Sequence, residues 1–351
     1  MQNDKRKVIV NFVRRWGIVL LLAVTLYCCK NESGTPGKVV IVSTNDMHAQ
    51  LALLATLIQQ KKTEGGEVIV VDAGDRFSGN PYVDHALERG EPMIRLMNKV
   101  GYDVVTMGNH DFDYGQKILK KRLHEANFPV VCANMLSEKS ELGQLPAYQM
   151  IERGGLKFCF FSLIQTGANH LPATNPANLE DISFRYFKDV VPEYKRVAEE
   201  CDVMIGLTHL GFANDSLLAL VMPELEVIVG GHSHTVIREP KKVNGVLIGQ
   251  AGSNLEYAGV TTLRFKGKKL VDKSYQLVSL KDIGTPDQEI ALLVEEISNR
   301  PEFKKIMGQA AEDLTRKEDV ASLMTDAMRD AVGGDFAFYN KGGVRLNELR
   351  K

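Results

Sequence analysis

Cysteine is scarce in this chain. There are five in 351 residues, and two of them are the adjacent pair Cys28-Cys29. The other three, Cys132, Cys159 and Cys201, are an odd set, and two of them sit in apolar runs. No disulfide framework follows from them, and they read as packed thiols. An excess of one charge is also missing. Lysine and arginine number 43 against 44 aspartate and glutamate, so the whole chain shows no nucleic-acid footprint. The sequence has no internal repeat and no long low-complexity segment. What remains, 44% hydrophobic and 25% charged, is the composition of a soluble globular protein with one large domain or two ordinary ones.

The N-terminus differs from the rest. Lys5, Arg6, Lys7, Arg14 and Arg15 precede an apolar run from Gly17 to Tyr27. At about eleven residues this run is too short to span a bilayer and the right length for a signal-peptide core. The order of basic, then apolar, then Cys28-Cys29 resembles a bacterial lipoprotein signal. Residues 1–29 are read as a signal peptide ending at the modified cysteine, Cys29, with Cys28 as the alternative. The expected location is the cell envelope of a Gram-negative-type bacterium, lipid-anchored, periplasmic or surface-exposed. Removal of the signal takes away five basic residues and one acidic one, leaving a mildly acidic chain. Residues 30–37 form a polar tether.

From Lys38 the pattern is β-α-β. Lys38–Ser43 is a buried strand, Leu51, Leu54, Ala55 and Ile58 recur at helical spacing, and Gly65-Gly66 ends that helix. Glu67–Val71 is the next strand, and a helix over Pro92–Val100 leads to the strand Val104–Met107. Val130-Val131, Phe158–Leu163, Val203–Thr208 and Glu226–Gly230 continue the series, with a helix around Val191–Glu200. Gly245–Gln250, Gly259–Phe265 and Leu270–Leu280 then read as strands with no helix between them, which predicts a second, partly antiparallel sheet packed on the first. Residues 283–318 read as a charged helical connector. Val320, Leu323, Met324, Ala327, Met328 and Ala331 give one amphipathic helix face, followed by a short strand at Phe336–Tyr339. A helix and one strand cannot bury a core alone, so 319–351 is expected to open an incomplete further domain.

Chemistry gathers at the strand ends. Gly108-Asn109-His110-Asp111-Phe112-Asp113 puts an amide, an imidazole and carboxylates on the loop leaving Val104–Met107. Four other fragments do the same: Asp46-Met47-His48, Gly74-Asp75, Thr208-His209 and Gly231-His232-Ser233-His234. Open α/β sheets place their ligands at such ends. Together, Asp46, His48, Asp75, Asn109, His209, His232 and His234 are two carboxylates, an amide oxygen and four imidazoles. No thiolate is among them, which excludes a Cys-rich structural zinc knot. Mixed oxygen and nitrogen ligands suit divalent Zn, Mn, Fe or Co. Seven ligands exceed the need of one ion and fit two that share a carboxylate, a site built for in-line displacement at phosphorus.

In this order the fragments resemble the calcineurin-like metallophosphoesterase superfamily. Thr44-Asn45-Asp46-Met47-His48, Asp72-Ala73-Gly74-Asp75, Asn109-His110-Asp111-Phe112-Asp113 and Gly230-Gly231-His232-Ser233-His234 are most similar to its 5′-nucleotidase and UDP-sugar hydrolase branch. The resemblance implies a four-layer αββα sandwich over 38–282, with two packed mixed sheets and the dimetal site at the C-terminal strand ends. It implies that Asp46, His48, Asp75 and His234 hold one divalent ion and that Asp75, Asn109, His209 and His232 hold the other, with Asp75 bridging. His234 stands where many nucleotidases carry Asn or Gln and the wider superfamily carries His.

His110 is then a catalytic residue beside the phosphoryl group, oriented by Asp113. Asp111 is either a helix cap or a supporting group behind the site. Asn340–Arg345 resembles the opening of the branch's C-terminal nucleotide-binding domain, with Arg345, and more weakly Arg316, as substrate contacts. The expected reaction is hydrolysis of nucleotides by in-line attack of a metal-bound hydroxide on phosphorus. The alternatives are a broad phosphomonoesterase or phosphodiesterase acting on UDP-sugars or 2′,3′-cyclic nucleotides, and a catalytically weak metal-binding lipoprotein. Expected partners are the phosphoester substrate, a membrane through the lipid anchor, and a chain carrying the rest of the C-terminal domain, with no nucleic-acid polymer.

Overall fold

The computed structural model describes residues 37–47, 51–306, 308–340, 343, 344, 346 and 348–351. The signal segment with Cys29, His48 and Arg345 lie outside these residues.

Two six-stranded sheets form the centre. In the first, β1 (Lys38–Thr44), β2 (Glu67–Asp72), β3 (Val104–Thr106) and β4 (Val130–Val131) run parallel. The second is built on β5 (Tyr148–Arg153), β6 (Leu156–Ile164), β7 (Val203–His209), β8 (Val227–Gly230), β9 (Lys241–Val243) and β10 (Val246–Gly249). Its order is β9-β10-β8-β7-β6-β5, with β6, β7, β8 and β10 parallel.

Side-chain alternation along β1 and β2 sets the layers. Val39, Ile41, Ile69 and Val71 pack in one core with Phe158, Phe160, Ile205 and Ile228 of the second sheet. Their neighbours Val40, Val42, Val68 and Val70 turn the other way, against helices α1 (Ala52–Thr63) and α2 (Glu91–Val100). Every second residue therefore serves a different core, and a run of consecutive valines and isoleucines is buried on both faces. On the far side, Val190 and Val191 of α4 (Phe187–Tyr194) and Leu218 and Ala219 of α5 (Phe212–Val221) cover the second sheet. A further helix, α3 (Gln116–Glu125), follows the loop after β3. The architecture is the expected αββα sandwich.

Three details differ from the sequence reading. First, the later strands do not form the second sheet by themselves. β10 joins β8, but β11 (Tyr257–Lys266) returns to pair antiparallel with β1, and β12 (Lys269–Ser279) pairs with β11. The tail is shared between the sheets because each had an open edge. The second sheet in fact begins earlier, at the β5–β6 hairpin, whose Gly154-Gly155 turn has φ of 59° and 75°. Such angles match the right-handed strand twist.

Second, the helix expected around Val191–Glu200 starts at Phe187 and gives way at Tyr194 to a 3-10 turn, Lys195–Glu200. Third, Phe336–Tyr339 is no strand. It has no ladder partner among the described residues, and Phe336 and Phe338 are exposed. The helix before it, α7 (Lys317–Val332), forms as expected, yet of its apolar face only Val320 is buried. In the connector, α6 (Gln288–Ser298) docks on α1 and α2, and Arg95 pairs with Glu296 at 2.6 Å. No helix among the described residues is long and apolar enough to cross a membrane.

Candidate active site

The loops leaving β1, β2, β3, β7 and β8 all open at one end of the sandwich. Four residues there hold left-handed backbone: Asp46 (φ 48°), Asp75 (59°), His232 (78°) and His234 (52°). Non-glycine residues adopt this region at a cost, and such strain collects at functional sites. The turns need small neighbours. A methyl group at Gly108 would collide with the Asp75 carboxylate, and one at Gly231 would sit 2.6 Å from the Ala73 carbonyl and 2.9 Å from Nδ1 of His209.

These backbones bring six of the predicted ligands together. Asp46, Asp75 and His209 are buried and offer ligand atoms within 4.8 Å of one another. His209 donates from Nδ1 to the Ala73 carbonyl at 2.7 Å, which turns Nε2 inward. That nitrogen lies 3.2 Å from Oδ2 of Asp75 and 3.2 Å from Oδ1 of Asn109. Asn109 donates its amide to the Ala173 carbonyl at 2.9 Å, so its oxygen faces His209 and also Nδ1 of His232, 2.9 Å away. Asp46 accepts from Asn45 and from the His232 backbone through Oδ2. Its other oxygen is buried without a hydrogen bond, 3.2 Å from Nε2 of His234.

The electrostatics are those of a cluster built for cations. Burial works against charge on His209, but the Asp75 carboxylate beside it outweighs that and lifts the imidazole to about 10. Burial also opposes ionisation of Asp75, and the charges of His209 and His110 carry it well below the ordinary carboxylate range. Burial and the neighbouring His209 push His232 down to about 4. Asp75 and His209 are among the residues that would hold a divalent ion, and His209 would give up its proton to do so. The orphaned Asp46 oxygen and a set of oxygen and nitrogen donors without sulfur fit such an ion.

His110 stands beside this cluster. Its backbone N–H donates to Oδ1 of Asp75 at 2.8 Å, and its Nδ1 donates to Oδ2 of Asp113 at 2.8 Å. The cleft in front has a volume of about 300 Å³ and is lined by Asp75, Asn109, His110, Ala173, His232 and His234, with Asn340 and Gly343 from the C-terminal segment. A larger cleft of about 590 Å³, between Leu53, Tyr257 and Lys281, contains none of the predicted ligands.

Sequence reasoning left Asp111 between two roles, and it has both. Its Oδ2 accepts from the Gly108 backbone at 2.7 Å, capping the turn, and lies 3.1 Å from Nη2 of Arg76. Arg76, fully buried, was missed. It also binds the Thr106 carbonyl and so ties the loop after β2 to the end of β3. Ser78 and Thr174, which hydrogen-bond to Asp113, were missed as well. No motif or spacing marks these residues in the sequence. Asp215 on α5 accepts from Thr208 at 2.6 Å, and burial raises its carboxyl to about 7.

A family model for calcineurin-like phosphoesterases matches residues 39–236. The chain belongs to the calcineurin-like phosphoesterase family. It is a phosphohydrolase of the 5′-nucleotidase-like kind, and members of the family use divalent metal ions. Among its relatives, protein UshA of Yersinia enterocolitica is 27% identical, the match covering 88% of this chain and 68% of that protein. A 5′-nucleotidase of Vibrio cholerae is 30% identical over 70% of this chain and 52% of its own length. The crystal structure of a 5′-nucleotidase precursor from Thermus thermophilus superposes with a TM-score of 0.78 at 22% identity, over 90% of this chain and 71% of that one. This last likeness establishes the fold.

Proposed function

We propose that the protein hydrolyses nucleotides at a two-metal centre. Asp46, His48, Asp75 and His234 would hold one divalent ion, and Asp75, Asn109, His209 and His232 the other, with Zn, Mn, Fe or Co as the metals. The observation that carries this reading is the convergence of Asp46, Asp75, Asn109 and His209 in one cluster, behind a cleft that Asp75, Asn109 and His110 line and beside the His110–Asp113 pair. Bound ions would supply Lewis acidity toward water and the phosphoryl oxygens.

The chain's own groups do the rest. The Asp113 carboxylate accepts from Nδ1 of His110 and so leaves Nε2 as the atom that meets substrate. A proton on Nε2 is donated to the leaving oxygen as its bond to phosphorus breaks. The Asp75 carboxylate holds the His110 backbone in register with the ligand cluster. Asn340 and Gly343 at the cleft support substrate contact by the segment 340–345, with Arg345 as the candidate cation. We read residues 1–29 as a lipoprotein signal with Cys29 as the anchor, which would place the enzyme in the cell envelope. Replacing Cys29 with serine should then release it from the membrane fraction.

The deciding experiment is a substrate screen on metal-reconstituted protein. Turnover of AMP with a kcat/KM well above that for p-nitrophenyl phosphate supports a nucleotidase. Equal values for the two favour a broad phosphoesterase. Background rates on every ester favour a metal-binding lipoprotein and overturn the proposal.

A further inference from the structure

Asp113 is gripped from two loops that share no motif. Its Oδ2 accepts from Ser78 Oγ at 2.8 Å, in addition to His110 Nδ1 at 2.8 Å. Its Oδ1 accepts from Thr174 Oγ1 at 3.1 Å. Both loops are themselves fixed. Ser78 holds a left-handed backbone (φ 56°), and its N–H donates to Tyr114 Oη at 3.0 Å. That tyrosine also bonds Asp84, which accepts from the Gly79 backbone at 2.9 Å. On the other side, Thr174 follows Ala173, whose carbonyl accepts from the Asn109 amide. Two consecutive residues therefore orient a predicted metal ligand and the partner of the predicted acid.

These hydrogen bonds do little for folding. The Asp113 side chain keeps 28% of its surface exposed, so water could satisfy it, and bonds at such a site contribute little net stability. What they fix is direction. With both oxygens engaged, the carboxylate plane is held, and the left-handed backbone at Ser78 marks a loop held for geometry rather than stability.

We propose that Ser78 and Thr174 are positioning residues for phosphoester cleavage: they lock the Asp113 carboxylate, and through it the His110 ring, against the cluster that Asn109 belongs to. The proposal rests on the reading of His110 as the proton donor to the leaving group. In that step the bond between phosphorus and the leaving oxygen breaks, the electron pair stays on oxygen, and the His110 Nε2 proton ends there. A leaving group that departs readily as an anion needs this proton least.

The test compares p-nitrophenyl phosphate with AMP, an alkyl phosphate ester, on the intact, metal-reconstituted protein. Ser78→Ala and Thr174→Val should each lower kcat on the alkyl ester about tenfold, and the double variant about a hundredfold, with KM and metal content unchanged. On p-nitrophenyl phosphate the loss should stay within about threefold. Thr174→Ser should restore the alkyl-ester rate. Equal losses on both esters, or losses that track missing metal or a lowered Tm, overturn the proposal. His110→Asn on the same pair separates the two readings. If it shows no leaving-group dependence, the acid role fails and the clamp with it. If it shows that dependence and the clamp variants do not, only the clamp fails. A parent protein inactive on both esters overturns both.

Discussion

The side-chain oxygen of Asn109 lies 2.9 Å from Nδ1 of His232, a residue 123 positions away in the chain. The same oxygen is 3.2 Å from Nε2 of His209. One amide thus faces imidazoles from two other strand ends, while Asp75 joins the cluster to His110. If Asp75 is shared by two ions and Asn109 serves one, their removal should differ. Asp75→Ala should bring bound metal to background, whereas Asn109→Leu should leave one ion in place. Elemental analysis of the purified variants reads this directly, and full occupancy in Asp75→Ala would contradict a shared carboxylate.

Replacing His110 with asparagine should spare the metals and cost roughly 10²–10⁴ in kcat, the range for a lost general acid. Steady-state kinetics with a parallel metal assay checks this. A variant that turns over at the parent rate would remove His110 from the chemistry.

Steric change alone should also silence the site. Gly108→Ala removes no polar group, yet its methyl would push on the Asp75 carboxylate. A displacement of this kind can cost about 10² in rate. Gly308 has open space around it, and Gly308→Ala is the matched control that should behave as the parent. Comparing kcat and bound metal in the two variants makes the distinction.

Metal binding should release protons. In the stripped protein His209 is lifted to about 10, so at pH 8 it carries a proton that must leave before Nε2 can ligate. His232, pushed down to about 4, is already neutral and contributes none. As pH falls below about 10, protons compete better at His209, so apparent affinity should drop by about tenfold per unit. Calorimetric titration of metal into chelator-treated protein, in buffers of differing ionisation enthalpy, counts the protons. A heat independent of buffer would refute this account.

The cluster was legible in the sequence because its residues are chemically unlike their surroundings. Asp46, Asp75, Asn109, His209 and His232 each end or closely follow an apolar strand, and strand ends at one edge of parallel sheets must meet. Arg76, Ser78 and Thr174 were not legible for the opposite reason. A lone hydroxyl or guanidinium in a loop resembles many other loop residues, and its meaning arises only when a distant carboxylate arrives beside it. The division of the later strands between two sheets was hidden likewise, since alternation identifies a strand and not its neighbour. Phe336–Tyr339 shows the limit from the other side: strand-like residues form no ladder where the described residues offer no partner edge.

The return of β11 to β1 orders events during synthesis. β1 is among the first strands made, yet Ser43 waits 216 residues for Gly259, whose carbonyl accepts its hydroxyl. Until Tyr257–Lys266 has left the ribosome, the first sheet has an open edge beside the half-built Asp46 loop. The nascent chain cannot close its metal cradle early, and a product cut short before that strand would be an aggregation-prone target for chaperones and proteases rather than a smaller enzyme.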